Sequence, residues 1–476
     1  MPETIAAIFT PGEGIAAILR ISGDASLEIM RKLMSGCPEE IEPGRGYDGK
    51  LSAAGQDPAS EAAGEAVFLY LKAPASYTGE DMLEIQKQGS NDALEEILRA
   101  VLGLGIEGVR EAEPGEFTKR AFLNGKIDLT QAEAVTDIRE AGTEMSLAIA
   151  ESQIEGHLGD TIREIRSTLL DILAEMAVDI DYPESEIYEG YEYPESFNED
   201  SVSDIVNRLR WVHSDVADLV DTARIGRIAR DGVRAVIAGK SNSGKSSLMK
   251  ALLGEGQVPV TDSLDPAGDT VEETTSMGGV PIVLVDTAGL RNIDDETEKL
   301  GIERTILALA RADIVILVID GSVKLDEEDR KILRFMENMN TDHLIAVINK
   351  EDLGRTITED DVRSILPGAT VINTSLVGSA ADDAARRISE IIGGILDLGS
   401  IDIKETSIIT NERQLKMLRN ADMNLDEAIS MLQTGEPMEA AELSAHYAYN
   451  ALGTILGEEV GDEVLDRVFG KFSLGM

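Results

Sequence analysis

Lysine, serine and asparagine set between glycines in Gly239-Lys-Ser-Asn-Ser-Gly-Lys-Ser246 have the types and spacing to hold a nucleotide's phosphates. Glycines let the backbone curl so that successive N–H groups face anionic oxygens. Lys245 can reach the outer phosphates, and the Ser246 hydroxyl can ligate Mg²⁺. Asn242, Ser243, Gly244 and Ser247 complete the candidate loop. Downstream, Asp286-Thr287-Ala288-Gly289 has the D-x-x-G form that senses a γ-phosphate and its metal. Farther on, Asn349-Lys350-Glu-Asp352 has the N-K-x-D form that reads guanine, because a carboxylate accepts from N–H groups that adenine lacks at those positions. Three ordered motifs, each closing an apolar run, set aside the bland reading of three ordinary strand-end turns. The spacing implies GTP binding and a GTP-hydrolysing enzyme.

Many GTPases orient the attacking water with a Gln directly after D-x-x-G. Leu290 stands there and can neither donate nor accept a hydrogen bond. Glu298 is the candidate catalytic group, acting through a bridging water; the competing reading is a helix-start carboxylate favoured by the dipole. Thr270 is best placed to complete a Mg²⁺ shell, with Thr274 and Thr275 as weaker alternatives. Asn242 offers an amide oxygen to a monovalent cation beside the phosphates, in the charge-neutralising place of an arginine finger, or else serves turn geometry alone.

These residues need strands to carry them. Val233-Arg-Ala-Val-Ile-Ala238, Val280-Pro-Ile-Val-Leu-Val285 and His343-Leu-Ile-Ala-Val-Ile348 are apolar runs leading into the three motifs. Residues 231–395 alternate strand-like and helix-like segments, which predicts a doubly wound α/β nucleotide-binding domain. Residues 1–125 mix short apolar runs with Gly and Pro breaks and predict a small α+β domain. In 126–230, Ile154, Leu158, Ile162, Ile165, Leu169, Ile172 and Met176 recur at steps of three and four, predicting one long amphipathic helix. Val202 to Leu219 predicts a second. Between them, Asp181 to Asp200 holds eight carboxylates and no Lys or Arg, which reads as a solvated connection. Residues 396–476 turn helical again, with a final segment from Tyr447 to Phe469. Helices on either side of the GTPase segment would then pack together, leaving it as an insertion.

Composition narrows the classes. Forty-three basic against 89 acidic residues give a formal net charge of −46, which opposes general nucleic-acid binding. Any RNA contact therefore needs a local basic patch or a partner's surface. The single Cys37 excludes a disulfide framework and fits a reducing compartment. No run of about 18 apolar residues occurs and the start lacks a signal pattern. The expectation is a cytoplasmic protein with no membrane partner.

The chain resembles the MnmE (TrmE) family of tRNA-modification GTPases over nearly its whole length. The resemblance rests on Ile18-Leu-Arg-Ile-Ser-Gly23, Thr78-Gly-Glu-Asp-Met-Leu-Glu84, the run Pro114-Gly-Glu-Phe-Thr-Lys-Arg-Ala-Phe-Leu-Asn-Gly-Lys-Ile-Asp-Leu-Thr-Gln-Ala-Glu-Ala134, Ile180-Asp-Tyr-Pro-Glu-Ser-Glu-Ile187 and Asp286-Thr-Ala-Gly-Leu-Arg291. It implies a folate-binding N-terminal domain, a discontinuous helical domain and an inserted P-loop GTPase domain. It implies a homodimer working with an FAD protein of the MnmG type on the wobble uridine of tRNA, with one carbon from a tetrahydrofolate. By the same resemblance, Ser246 and Thr270 bind Mg²⁺, Asn242 and Thr261 contact K⁺, and Glu298 is the general base. Ser375 belongs to the block behind the guanine, and Arg20, Glu84 and Lys126 match folate-contacting positions. The chain also departs from the family pattern. It ends Phe472-Ser-Leu-Gly-Met476 where the family ends F-C-[IV]-G-K; Lys87-Gln-Gly-Ser90 replaces G-H-G-G; and Gly268-Asp-Thr-Val-Glu272 replaces G-T-T-R-D. A hydroxyl at Ser473 is far less nucleophilic than a thiolate. The alternative is a divergent paralogue that keeps the GTP switch as a regulatory or binding protein.

Overall fold

The computed structural model describes residues 3–10, 17–51, 64–88, 91–181, 199–255, 272–277, 279–286, 306–338, 343–396, 406–470 and 472. The chain divides into two compact units, each assembled from separate segments. The first gathers 1–139, 153–212 and 420–476; the second gathers 140–152 and 213–419.

The first unit opens with a seven-stranded sheet: β1 (Thr4–Ile8), β2 (Ala17–Ser22), β3 (Met34–Ser35), β4 (Gly46–Leu51), β5 (Glu65–Leu71), β6 (Met82–Lys87) and β7 (Val109–Glu111), in the order β3-β4-β5-β6-β2-β1-β7. Its central strands alternate in the way a one-sided antiparallel sheet must. Leu19, Ile21, Phe68, Leu83 and Ile85 enter a core closed by Ile29, Met30 and Leu33 of helix Ser26–Leu33 and Leu94, Ile97 and Val101 of helix Asn91–Leu102. This is an α+β arrangement.

A chain of ionic hydrogen bonds ties the 114–126 signature to the 78–84 block. Arg110 grips Glu116 with two bonds of 2.7 and 2.8 Å, and Arg120 reaches Glu116 and Glu80 at 2.9 Å each. Ser22 Oγ donates to the same Glu80 oxygen at 2.7 Å. Burial pushes the Glu116 carboxyl up, but hydrogen bonds from Arg110, the Glu113 N–H and Arg120 outweigh it and hold the group at about 2.

The helical part of this unit contains Leu129–Glu140, His157–Asp181, Met438–Leu456 and Asp462–Phe469. The long helix expected through Ile154 and Leu158 is two helices, Glu144–Glu155 and His157–Asp181. Gly156 adopts φ +95° between them, a left-handed conformation that ends a helix. Apolar periodicity runs through the break because both helices keep an apolar face, so period alone does not reveal it. Likewise, Tyr447 to Phe469 is not one segment: Gly457, at φ +98°, separates two helices where the Phe122 ring approaches within 2.6 Å of the place a Cβ would take. Arg166, nearly buried, crosses from His157–Asp181 to Glu458 with bonds of 2.6 and 2.7 Å and lies 4.2 Å from the Tyr449 ring centroid. The acidic connection at 182–198 lies outside the described residues. Among the described residues no helix is long and apolar enough to cross a membrane.

The second unit carries a six-stranded sheet: β8 (Val233–Gly239), β9 (Glu272–Met277), β10 (Val280–Asp286), β11 (Ile314–Asp320), β12 (Leu344–Asn349) and β13 (Thr370–Asn373), ordered β13-β12-β11-β8-β10-β9. β9 is antiparallel to β10; the other neighbours are parallel. Successive residues feed opposite cores. Val233, Ala235, Ile237, Ile314, Ile316 and Val318 pack on one face with helices Lys245–Glu255 and Ser379–Leu396. Val236, Ala238, Val315, Leu317 and Ile319 pack on the other with helices Glu327–Asn338 and Glu359–Arg363. Burial on both faces is why these strands read as unbroken apolar runs. Helix Glu199–Asp231 continues twelve residues beyond the last apolar position of its predicted span, Leu219, and delivers the chain to β8.

Two outcomes follow. Gly→Ala inside a helix ordinarily stabilises by about 0.5–1 kcal/mol. At Gly226, however, a Cβ would lie 1.9 Å from the Ile409 carbonyl oxygen. Gly226→Ala is therefore expected to destabilise by about 1–3 kcal/mol, read as a lower melting temperature. The second concerns acid. A depressed carboxyl stabilises the fold above its unfolded value and loses that contribution as pH falls, here between the ordinary 4.5 and about 2. Glu116→Gln should flatten the acid limb of the stability curve in that window, measured by thermal melts against pH.

Candidate nucleotide site

The phosphate loop sits where a parallel sheet places ligands, beyond the carboxyl ends of its strands and at the N-terminus of a helix. β8 ends at Gly239, and Lys245 begins helix Lys245–Glu255. Two backbone positions demand their residues. Gly239 takes φ +141° with Val318 O 2.3 Å from a would-be Cβ; Gly244 takes φ +113° with Asn349 Nδ2 at 2.2 Å. Asn242 adopts φ +62°, which asparagine tolerates better than most residues.

A cavity of about 600 Å³ opens here, lined on one side by Asn242, Gly244, Lys245, Ser246 and Ser247 and on the other by Asn349, Lys350 and Asp352. The structure thus brings two of the three motifs to one volume. The third arrives at its edge: Ser246 Oγ lies 3.3 Å from Asp286 Oδ2, giving a hydroxyl and a carboxylate, both hard oxygen donors suited to Mg²⁺. Lys245 Nζ donates to the Gly239 and Lys240 carbonyls at 3.1 and 2.9 Å. Ser243 is buried beneath the loop, and its hydroxyl finds no partner among the described residues.

Asn349 holds the two sides together. Its Nδ2 donates to Ser243 O at 2.8 Å and its Oδ1 accepts from Leu376 N at 3.0 Å. Ser375 Oγ donates to Asp352 Oδ1 at 2.6 Å, which orients the carboxylate expected to read the base. Lys240, on the outer side of the loop, is held by Asp326 and lies 3.6 and 3.9 Å from Glu328 and Asp329.

Thr261, Thr270, Thr287, Ala288, Gly289 and Glu298 lie outside the described residues. Thr274 and Thr275 lie within β9, paired with Val283 and Ile282, and Thr275 is buried. Two residues of the site escaped the motif reading. Leu353 adds an exposed apolar side chain to the cavity rim beside Val377. Asp320, at the end of β11, accepts from Lys350 Nζ at 2.6 Å. The available signal was an acid closing the apolar run Ile314–Ile319; which lysine it meets depends on strand pairing.

In the first unit, Arg20 and Glu84 face each other across β2 and β6. Arg20 Nε and Nη2 donate to Glu84 Oε1 at 3.0 and 2.8 Å. The guanidinium also lies 3.7 Å from the Phe9 ring centroid and 5.4 Å from that of Tyr77. Lys126 Nζ donates to Pro74 O at 3.0 Å, on the turn that also carries Tyr77.

Two family profiles cover almost all of the chain: "GTP-binding protein TrmE N-terminus" over residues 4–126 and "MnmE helical domain" over 129–472. Among curated proteins, tRNA modification GTPase MnmE of Clostridioides difficile is 37% identical, covering 99% of both chains. MnmE of Geobacillus kaustophilus is 36% identical with the same coverage. MnmE of Bacillus subtilis is 36% identical over 99% of this chain and 100% of its own. The chain belongs to the MnmE family of tRNA modification GTPases.

The MnmE relatives are GTPases, and Asp352 is the carboxylate that the N-K-x-D pattern expects to read the base. Asp352→Asn should lower GTP affinity by at least about tenfold and shift preference toward the xanthine nucleotide, because an amide presents a donor where guanine also donates. Competition binding of GTP against XTP checks this; retained GTP preference would remove Asp352 from base reading.

Proposed function

We propose that this protein couples GTP hydrolysis to modification of the wobble uridine of tRNA, working with an FAD-dependent protein of the MnmG type. An aminomethyl-type group is built there with a one-carbon unit from a tetrahydrofolate. The observation that carries the reading is the single cavity that joins the phosphate loop to Asn349, Lys350 and Asp352 in a chain matching MnmE proteins end to end. A discontinuous helical domain with an inserted GTPase domain is supported by both units being assembled from separate segments. Homodimerisation through the N-terminal domain, and a cytoplasmic location, complete the reading.

Within it, the loop from Asn242 to Ser247 binds phosphates, with Lys245 leaving its backbone carbonyls for the outer phosphates. Thr287, Ala288 and Gly289 follow the γ-phosphate. Ser246 and Thr270 hold Mg²⁺, which when bound neutralises charge on the phosphate oxygens. The Ser246 hydroxyl beside Asp286 is an oxygen donor set that fits it. Asn242 and Thr261 hold K⁺, and Asn242 lines the cavity on the phosphate-loop side, as that role requires. Glu298 positions the water that Leu290 cannot. Arg20 and Glu84 offer a folate a donor, an acceptor and neighbouring aromatic rings, with Lys126 as a further cation.

Ser473 and Met476, in place of the family's Cys and Lys, favour a second reading: a GTP-dependent regulatory paralogue without modification activity. GTP turnover in KCl against NaCl at matched ionic strength separates them. The first reading expects K⁺-selective stimulation. It also expects Glu298→Ala to bind GTP normally while hydrolysing it about 10²–10⁴-fold more slowly. Cation-indifferent turnover would favour the paralogue, and unchanged turnover in the variant would remove Glu298 from the mechanism.

A further inference from the structure

Asp320 closes β11 directly beside Asn349, its pairing partner on β12. The next residue on β12's side, Lys350, turns back with φ +68° and lines the nucleotide cavity. Its ammonium donates to Asp320 Oδ2 at 2.6 Å. The acceptor is itself fixed, because Asp320 Oδ1 takes hydrogen bonds from Ser322 N at 3.0 Å and Ser322 Oγ at 2.6 Å. The turn below is also locked. Gly321 N donates to Asn349 O and Gly321 O accepts from Thr356 N, each at 2.8 Å. A Cβ on Gly321 would lie 2.6 Å from Ile348 Cγ2, so the strands approach this closely only with glycine there. One carboxylate oxygen is therefore occupied by its own turn and the other is aimed at the lysine. Asp320 and Lys350 are each about three-quarters buried, at 25% and 28% side-chain exposure, so the pair is less screened than a surface bridge.

We propose that Asp320 is a positioning residue for the guanine base, holding the Lys350 ammonium at the cavity edge so that its four-carbon stem forms one wall of the base pocket. The inference rests on the GTP-binding reading of this cavity. Lysine's stem has four rotatable bonds, and fixing it before the ligand arrives removes an ordering cost from binding. Burial pushes the Asp320 carboxyl up, but the hydrogen bonds from Lys350 and Ser322 outweigh it and keep the group ionised at neutral pH. Hydrolysis takes place at the other end of the nucleotide. The contribution is thus to ground-state and transition-state binding alike, and it belongs in KM rather than kcat.

The test compares full-length wild type with Asp320→Ala, Asp320→Asn and Lys350→Met. Asp320→Ala is expected to weaken GTP and GDP binding about five- to twentyfold and leave kcat at saturating GTP within about twofold, the scale of one lost charge-assisted hydrogen bond. Asp320→Asn, which keeps an acceptor, should recover part of the loss. Inorganic tripolyphosphate, which engages the phosphate loop and has no base, should bind wild type and Asp320→Ala equally. In a Lys350→Met background, Asp320→Ala should add nothing. Equal losses for tripolyphosphate and GTP would make Asp320 a structural residue and overturn the proposal. Unchanged GTP affinity, or full additivity with Lys350→Met, would overturn it as well. Failure of the underlying reading looks different: wild type itself would then show no preference for GTP over ATP.

Discussion

The nucleotide site depends on one amide. Asn349 ends β12 and spends both of its polar atoms on backbone, donating to the phosphate loop at Ser243 and accepting from Leu376 beyond β13. It is 4% exposed, so either bond left unmade would strand a buried polar group at a cost of about 1–3 kcal/mol. No apolar residue could replace it, and a longer amide would displace the loop. The phosphate loop and the Asn349–Asp352 segment are therefore one mechanical unit, and the distance between them is set by a side chain rather than by a flexible connection.

The sheet makes that possible. Parallel pairing of β8, β11 and β12 brings the ends of the three strands to one edge, and each contributes a polar group at its last residue or just beyond: Gly239 and the loop, Asp320, and Asn349 with Lys350. Cores on both faces hold the strands in register. A shift of one residue would exchange the side chains that fill the two cores, so the packing that stabilises the domain also sets the position of the site.

In the first unit the same logic runs through charge. Glu116 and Glu80 are shared among Arg110, Arg120 and Ser22, which join helix Glu116–Leu123 to β2 and to the turn before β6. Both Glu116 oxygens and Glu80 Oε2 have two donors each, and hydrogen bonding of this kind is the condition under which low-exposure ion pairs stabilise a fold. Arg20 and Glu84 add a second pair on the sheet, backed by Phe9 and Tyr77.

Much of this was written in the local pattern. That Gly244, Lys245, Ser246, Asn349 and Asp352 would meet at one cavity was legible because the two motifs set them at short, fixed spacings at the ends of apolar runs. The long apolar runs announced a sheet buried on both faces for a similar reason, since burial acts residue by residue. Helix ends were less legible. Gly156 and Gly457 break helices that apolar periodicity carries straight through, because period reports which face is buried and is silent about φ. What only the tertiary structure decided were the pairings between distant segments: Arg20 with Glu84, Arg166 with Glu458, Lys350 with Asp320. Many acids in this chain could have met each of those cations. Strand register and helix packing, which arise from the whole fold and leave no local trace, selected one.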